Sequence, residues 1–148
     1  MFIKKKVSLI ISILLLCGFK SQDRSFANTS TTTQINFIEN SWSKALKQAA
    51  IQKKYIFVDA YASWCGPCKM LKATTFKNKK AAEFYNSNFI NVAIDMEKGD
   101  GPKLAAQWGL QAYPMLIIFD ISGKPVYNTV GFIGPDDLIK FGVKALNK

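Results

Sequence analysis

The sequence predicts a single α/β domain: a mixed β-sheet with helices on both faces. Three observations predict it. Tyr55 to Tyr61, Asn88 to Asp95 and Met115 to Asp120 are apolar runs rich in β-branched and aromatic residues, and they read as buried strands. Segments with helical periodicity separate them, which calls for crossover connections between parallel strands. Ser122-Gly123 then turns the third run into Pro125 to Val130, an antiparallel hairpin.

The elements follow in order. Gln34 to Ile38 alternates and reads as a short edge strand. Asn40 or Ser41 caps a helix through about Gln52, with Trp42, Leu46, Ala49 and Ala50 on one face. After the first central strand a helix runs from Gly66 towards Thr74, carrying Met70 and Leu71. Thr74-Thr75 and Lys77 to Lys80 break it, and a second piece from about Lys80 to Asn86 buries Ala82 and Phe84 or Tyr85. Asp100 or Gly101 caps the next helix, Pro102 occupies its first position, Leu104, Ala105 and Trp108 are its apolar residues, and Gly109 ends it. Asp136 to Asn147 closes the chain as an amphipathic helix with Leu138, Ile139, Phe141, Val143 and Leu146 apolar.

The 148 residues suffice for one domain with a proper core. The formal charge of +10 lies partly in the N-terminal segment, where Lys4, Lys5, Lys6, Lys20 and Arg24 are offset only by Asp23. Met1 to Lys6 is positive, Val7 to Phe19 is apolar but too short for a membrane span, and Ser25-Phe26-Ala27 offers small residues for a signal peptidase. Residues 1–27 therefore read as a secretory leader, 28–33 as a Ser/Thr/Asn-rich linker and 34–148 as the domain. Cutting after Ala27 leaves 15 lysines against 9 acidic residues, a charge of +6 spread over the surface without interleaved aromatics, so nucleic acid is not expected as a partner. A second reading of the leader stays open: Cys17 follows Leu14-Leu15-Leu16 and precedes Gly18, as in a lipoprotein signal, which would anchor the chain to a membrane.

The candidate chemistry lies in Trp64-Cys-Gly-Pro-Cys-Lys69, at the junction of the first central strand and the helix after it. Cysteines three apart lie on one helical turn. Cys65 stands near the helix N-terminus, where unpaired N–H groups and the positive end of the helix dipole stabilise a thiolate. Pro67 suits a first turn that needs no N–H. A structural zinc needs about four Cys or His ligands, whereas the chain has no His and only one other Cys. Haem attachment needs His after the second Cys, and Lys69 stands there. A purely structural staple would close too short a loop to contribute much. Redox chemistry is the reading that remains strongest.

From Ile35 to Lys148 the sequence resembles the thioredoxin-fold family. The hexapeptide matches the family's active-site motif at every position, Asp59 its buried carboxylate, Tyr113-Pro114 its cis-proline and Gly131 its glycine before the last helix. The Thr75-Phe76 break and the Asp95 to Pro102 loop are closer to thioredoxin-like domains of exported proteins, including the C-terminal domain of the membrane thiol reductase that supplies electrons to the bacterial periplasm. The family lysine that partners the buried carboxylate falls on Asn91. The resemblance implies a redox-active Cys65–Cys68 disulfide, with Cys65 the exposed attacking thiol, Cys68 the resolving thiol and Asp59 its proton acceptor. It implies Trp64, Gly66, Pro67, Tyr113 and Pro114 as substrate contacts. It also implies action on protein thiols and disulfides without metal or cofactor; with the leader read in residues 1–27 and the Gly66-Pro67 pairing that leans reducing, the expectation is a monomeric, exported, periplasmic reductase of protein disulfides. The chain has no Gly-x-Gly-x-x-Gly for NADPH or flavin, so its electrons would come from another protein, most simply a membrane thiol transporter. The alternatives are a disulfide oxidase or isomerase, and a chaperone-like module that holds client proteins.

Overall fold

The structure is a computed structural model that describes residues 33–148. The leader, the linker up to residue 32 and Cys17 lie outside the described residues. Five strands, β1 (Ile38–Glu39), β2 (Tyr55–Tyr61), β3 (Phe89–Asp95), β4 (Met115–Phe119) and β5 (Pro125–Val130), form one sheet in the order β1-β3-β2-β4-β5. β1, β3 and β2 run parallel; β4 is antiparallel to β2 and to β5. The expected mixed sheet is therefore present, with the parallel part made first and the hairpin second.

Strand alternation sends the two sides of β2 into two cores. Ile56, Val58 and Ala60 pack with Ala45 and Ala49 of α1 (Trp42–Gln52) and with Leu104 of α4 (Gly101–Trp108). Phe57 points the other way, onto Leu71 of α2 (Gly66–Ala73), Tyr85 of α3 (Lys79–Asn88) and Leu138 of α5 (Pro135–Leu146). The motif helix α2 thus lies on the Phe57 face, the face that also carries Asp59. Between α2 and α3 a single 3-10 turn, Thr75–Lys77, occupies the expected break, and Asn78 caps α3 by accepting from Ala81 N at 3.1 Å.

Element bounds differ from the sequence reading at several points, and of the two cap candidates for α1 it is Ser41 that holds the position. The edge strand is Ile38–Glu39, not Gln34 to Ile38: Ile35 N donates instead to Phe76 O at 2.8 Å, so the preceding backbone is tied to the turn after α2. Asn40 does not cap α1. Its φ is 50° and its Oδ1 accepts from Asp95 N at 2.8 Å, pinning the end of β1 to the end of β3, while Ser41 holds the N-cap position. Asn88 belongs to α3, with its amide on Phe84 O at 2.8 Å. Gly142 in α5 is needed for close approach, because a Cβ there would stand 2.6 Å from Phe84 and 3.0 Å from the Tyr85 hydroxyl. That hydroxyl donates to Leu138 O at 2.7 Å.

Candidate active site

Cys65 is the N-cap residue of α2, in an extended conformation, with Pro67 in the first turn. Cys65 and Cys68 form a disulfide with their Cα atoms 5.3 Å apart. The Cys68 N–H donates to Cys65 Sγ at 3.2 Å. One of the otherwise unpaired donors of the helix start is thus aimed at this sulfur, where it stabilises a thiolate after reduction. Nothing acidic stands in the first turn of α2 to oppose that effect.

The resemblance implied an exposed Cys65. In the disulfide state Cys65 is only 3% exposed and Cys68 1%. Ala62, Tyr61 and Tyr113 pack against the pair, and the bond to Cys68 holds the Cys65 sulfur inward. Trp64, by contrast, is 66% exposed. Its ring meets Tyr113 edge-on at 5.8 Å, and its Nε1 donates to Glu97 Oε2 at 2.9 Å. Tyr113 and Trp64 line one end of a cleft of ≈ 390 Å³ completed by Ala105 and Leu110 to Ala112. Burial raises the Tyr113 phenol above its ordinary pKa, and the charges of Glu97 and Asp95 add to this.

Pro114 follows Tyr113 through a cis peptide bond, where the resemblance expects one. Its carbonyl accepts from Gly131 N at 2.9 Å, and Gly131 has φ 94°, a conformation that favours glycine. The site is therefore framed by three separate chain segments: the start of α2, the Tyr113-Pro114 turn and the Val130-Gly131-Phe132 turn. Gly66 and Pro67 are exposed at the helix start.

Asp59 is fully buried on β2, and neither carboxyl oxygen has a hydrogen-bond partner among the described residues. Its pKa is raised to about 7, first by burial, with the positive charge of Lys72 lowering it and the negative charge of Glu39 raising it. A carboxyl held near neutrality can take and release a proton under ordinary conditions. Asn91 lies in β3 opposite Phe57, with its amide donating to Asn86 Oδ1 at 3.1 Å. The cation acting on Asp59 comes from α2, as Lys72. Sequence reasoning passed over Lys72, Glu39 and Glu97. Lys72 had one usable signal, its place one turn after Cys68; the other two are brought in by tertiary structure alone.

With this geometry in place, the likenesses to known proteins are specific. A thioredoxin-like domain family matches residues 42–145. The chain belongs to the thioredoxin-like family. It is 37% identical to a thioredoxin of Chlamydia trachomatis over 91 residues, which cover 62% of this chain and 82% of that one. It is 29% identical to the thiol:disulfide interchange protein DsbD of Campylobacter jejuni over 102 residues, 68% of this chain but 18% of that longer protein. Among solved structures, a candidate disulphide-isomerase of Bacteroides thetaiotaomicron superposes with a TM-score of 0.70 at 38% identity, covering 79% of this chain and 97% of that one. This member of the family is a thioredoxin-like thiol–disulfide oxidoreductase with a Cys65–Cys68 disulfide.

Proposed function

We propose that this chain is an exported reductase of protein disulfides. The observation that carries the mechanism is the Cys68 N–H held on Cys65 Sγ at the start of α2. In the reduced protein the Cys65 thiolate attacks one sulfur of a client disulfide. A mixed disulfide forms and the client's other sulfur leaves as a thiolate. The Cys68 thiol then passes its proton to Asp59, and its sulfur attacks Cys65 Sγ. The bond to the client breaks, the client departs fully reduced, and Cys65–Cys68 is left as the disulfide. Two electrons have moved to the client, and a thiol-carrying protein donor must return them; a membrane thiol transporter fits that need. Trp64, Gly66, Pro67, Tyr113 and Pro114 form the rim on which the client's extended chain rests.

The reducing direction is supported by Gly66-Pro67 between the cysteines, the pairing found in thioredoxin, whose potential is about −270 mV. Export is supported by the leader-like residues 1–27 and by the likeness to part of DsbD, named a thiol:disulfide interchange protein. The deciding measurement is the equilibrium of the Cys65–Cys68 couple against glutathione. A value near that of thioredoxin supports the reductase, and one above about −180 mV overturns it. In that case the second reading, an oxidase or isomerase, takes its place; the likeness to the candidate Bacteroides disulphide-isomerase favours it. Intact mass of the exported protein tests the leader: cleavage after Ala27 supports it, and a lipid adduct on Cys17 replaces it with a membrane anchor.

A further inference from the structure

A buried carboxyl that must cycle its proton needs a defined electrostatic setting, and here the setting is not supplied from β3. Asp59 sits opposite Ala93 of β3, and Ala93 sits opposite Glu39 of β1. Residues in one such row share a face of the sheet, so Glu39 and Asp59 face the same side with one strand between them, roughly 10 Å apart at Cα. Lys72 of α2 lies over that side. Its ammonium stands 3.6 Å from the centre of the Tyr61 ring, and Tyr61 is two residues beyond Asp59 on the same face of β2. Glu39 and Lys72 both line a groove of ≈ 610 Å³ between the segment leading into β1 and α2, and Lys69 and Lys77 also line it. Asp59 does not line it. The two charged residues thus stand at the solvent boundary of the buried carboxyl's surroundings.

The other groups on that face do not substitute for them. Asn91 of β3 is neutral and bonded to Asn86. Asp95, opposite Tyr61, is paired with Lys98 at 3.1 Å. Leu116, opposite Asp59 on β4, is apolar. Lys72 forms no ion pair with Asp59, so it acts through space and leaves the carboxyl free to take up and lose a proton.

We propose that Lys72 and Glu39 are positioning residues of the reaction: an opposed charge pair, assembled from α2 and β1, that sets the proton affinity of Asp59. The proposal rests on Asp59 as the proton acceptor for Cys68. It gives the rim of the groove a role that the hexapeptide does not reveal. Lys72 favours the carboxylate that receives the Cys68 proton, and Glu39 limits that bias so the proton is still retained near neutrality.

The test is the titration of the Asp59 carboxyl carbon, followed by NMR in the oxidised protein, together with the pH profile of mixed-disulfide resolution in single turnover. Lys72 and Glu39 are not in the core, so their variants are expected to fold. Lys72→Met should raise the Asp59 midpoint by roughly half a pH unit or more, and Glu39→Gln should lower it by a similar amount. Resolution at about pH 6 should slow at least roughly threefold in Lys72→Met and quicken in Glu39→Gln. An unmoved or lowered midpoint in Lys72→Met overturns the proposal, as does an equal rise in Lys69→Met, which would mean diffuse surface charge. In the Asp59→Asn background neither substitution should move the resolution profile. If Asp59→Asn alone resolves at the unaltered rate across pH, the acceptor role of Asp59 falls, and the rate part of the proposal with it. The carboxyl titration still decides separately whether Lys72 and Glu39 set the Asp59 charge.

Discussion

Replacing Asp59 by Asn should stabilise the oxidised protein at neutral and alkaline pH and do little in acid. Asp59 is wholly buried without a hydrogen-bond partner among the described residues, and its pKa rises from the ordinary 3.8 to about 7. In acid below about pH 3 the group is neutral in both folded and unfolded chains and costs no charge burial. As pH climbs through the window from 3.8 to about 7, the unfolded chain ionises and the folded one resists, so the folded state loses ground. Above that window both are ionised and the loss is complete. About three units at about 1.36 kcal/mol each make the full penalty about 4 kcal/mol. Asn carries no such penalty at any pH. Urea unfolding of the oxidised protein and of Asp59→Asn at about pH 5 and about pH 8.5 should show the advantage of Asn growing by about 3 kcal/mol between the two. Growth below about 1 kcal/mol would refute the reasoning, because Asp59 would then titrate close to its ordinary value.

Other expected outcomes follow from the same geometry. Cys68→Ala should accumulate mixed disulfides through Cys65, visible as client adducts on non-reducing gels, and clients trapped equally well by Cys65→Ala would reverse the assigned order of attack. Glu97→Ala removes the acceptor of the Trp64 indole; its emission should change, and the apparent KM for a protein disulfide should rise up to about fivefold, the equivalent of about 1 kcal/mol. An unaltered KM would leave that hydrogen bond without a part in client binding. Tyr85→Phe, which deletes the hydroxyl bonded to Leu138 O, should cost about 1 kcal/mol of stability by urea unfolding without moving the redox potential. A potential shifted in Tyr85→Phe would show that the α3–α5 packing reaches the dithiol.

The central strands, their sequence along the chain and the motif helix were legible because each rests on local signals. Tyr55–Tyr61 and Met115–Phe119 are apolar runs too short for helices, and the break at Thr74-Thr75 is written in the residues that make it. The short edge strand was misplaced because its boundary depends on a distant partner: Ile35 pairs with Phe76 backbone, which no local pattern announces. Asn40 looked like a cap for the same reason, since its side chain is taken by the end of β3. At the candidate site, Cys65, Cys68, Asp59 and Pro114 were singled out through motif and offset. Cys65 was nevertheless expected to be exposed; packing by Tyr61, Tyr113 and Ala62 and the bond to Cys68 bury it.

By itself the sequence determined the dithiol and its place at a helix start, because both depend on neighbours within a single turn. It also determined the apolar strand that buries Asp59. Only the tertiary structure decided what surrounds these groups. The sheet order aligns Glu39 with Asp59 across β3, α2 carries Lys72 over Tyr61, and the loop after β3 brings Glu97 to Trp64. Charge acts through space rather than along the chain, so the proton affinity of Asp59 belongs to the fold, while the two cysteines of the disulfide were already written in six residues.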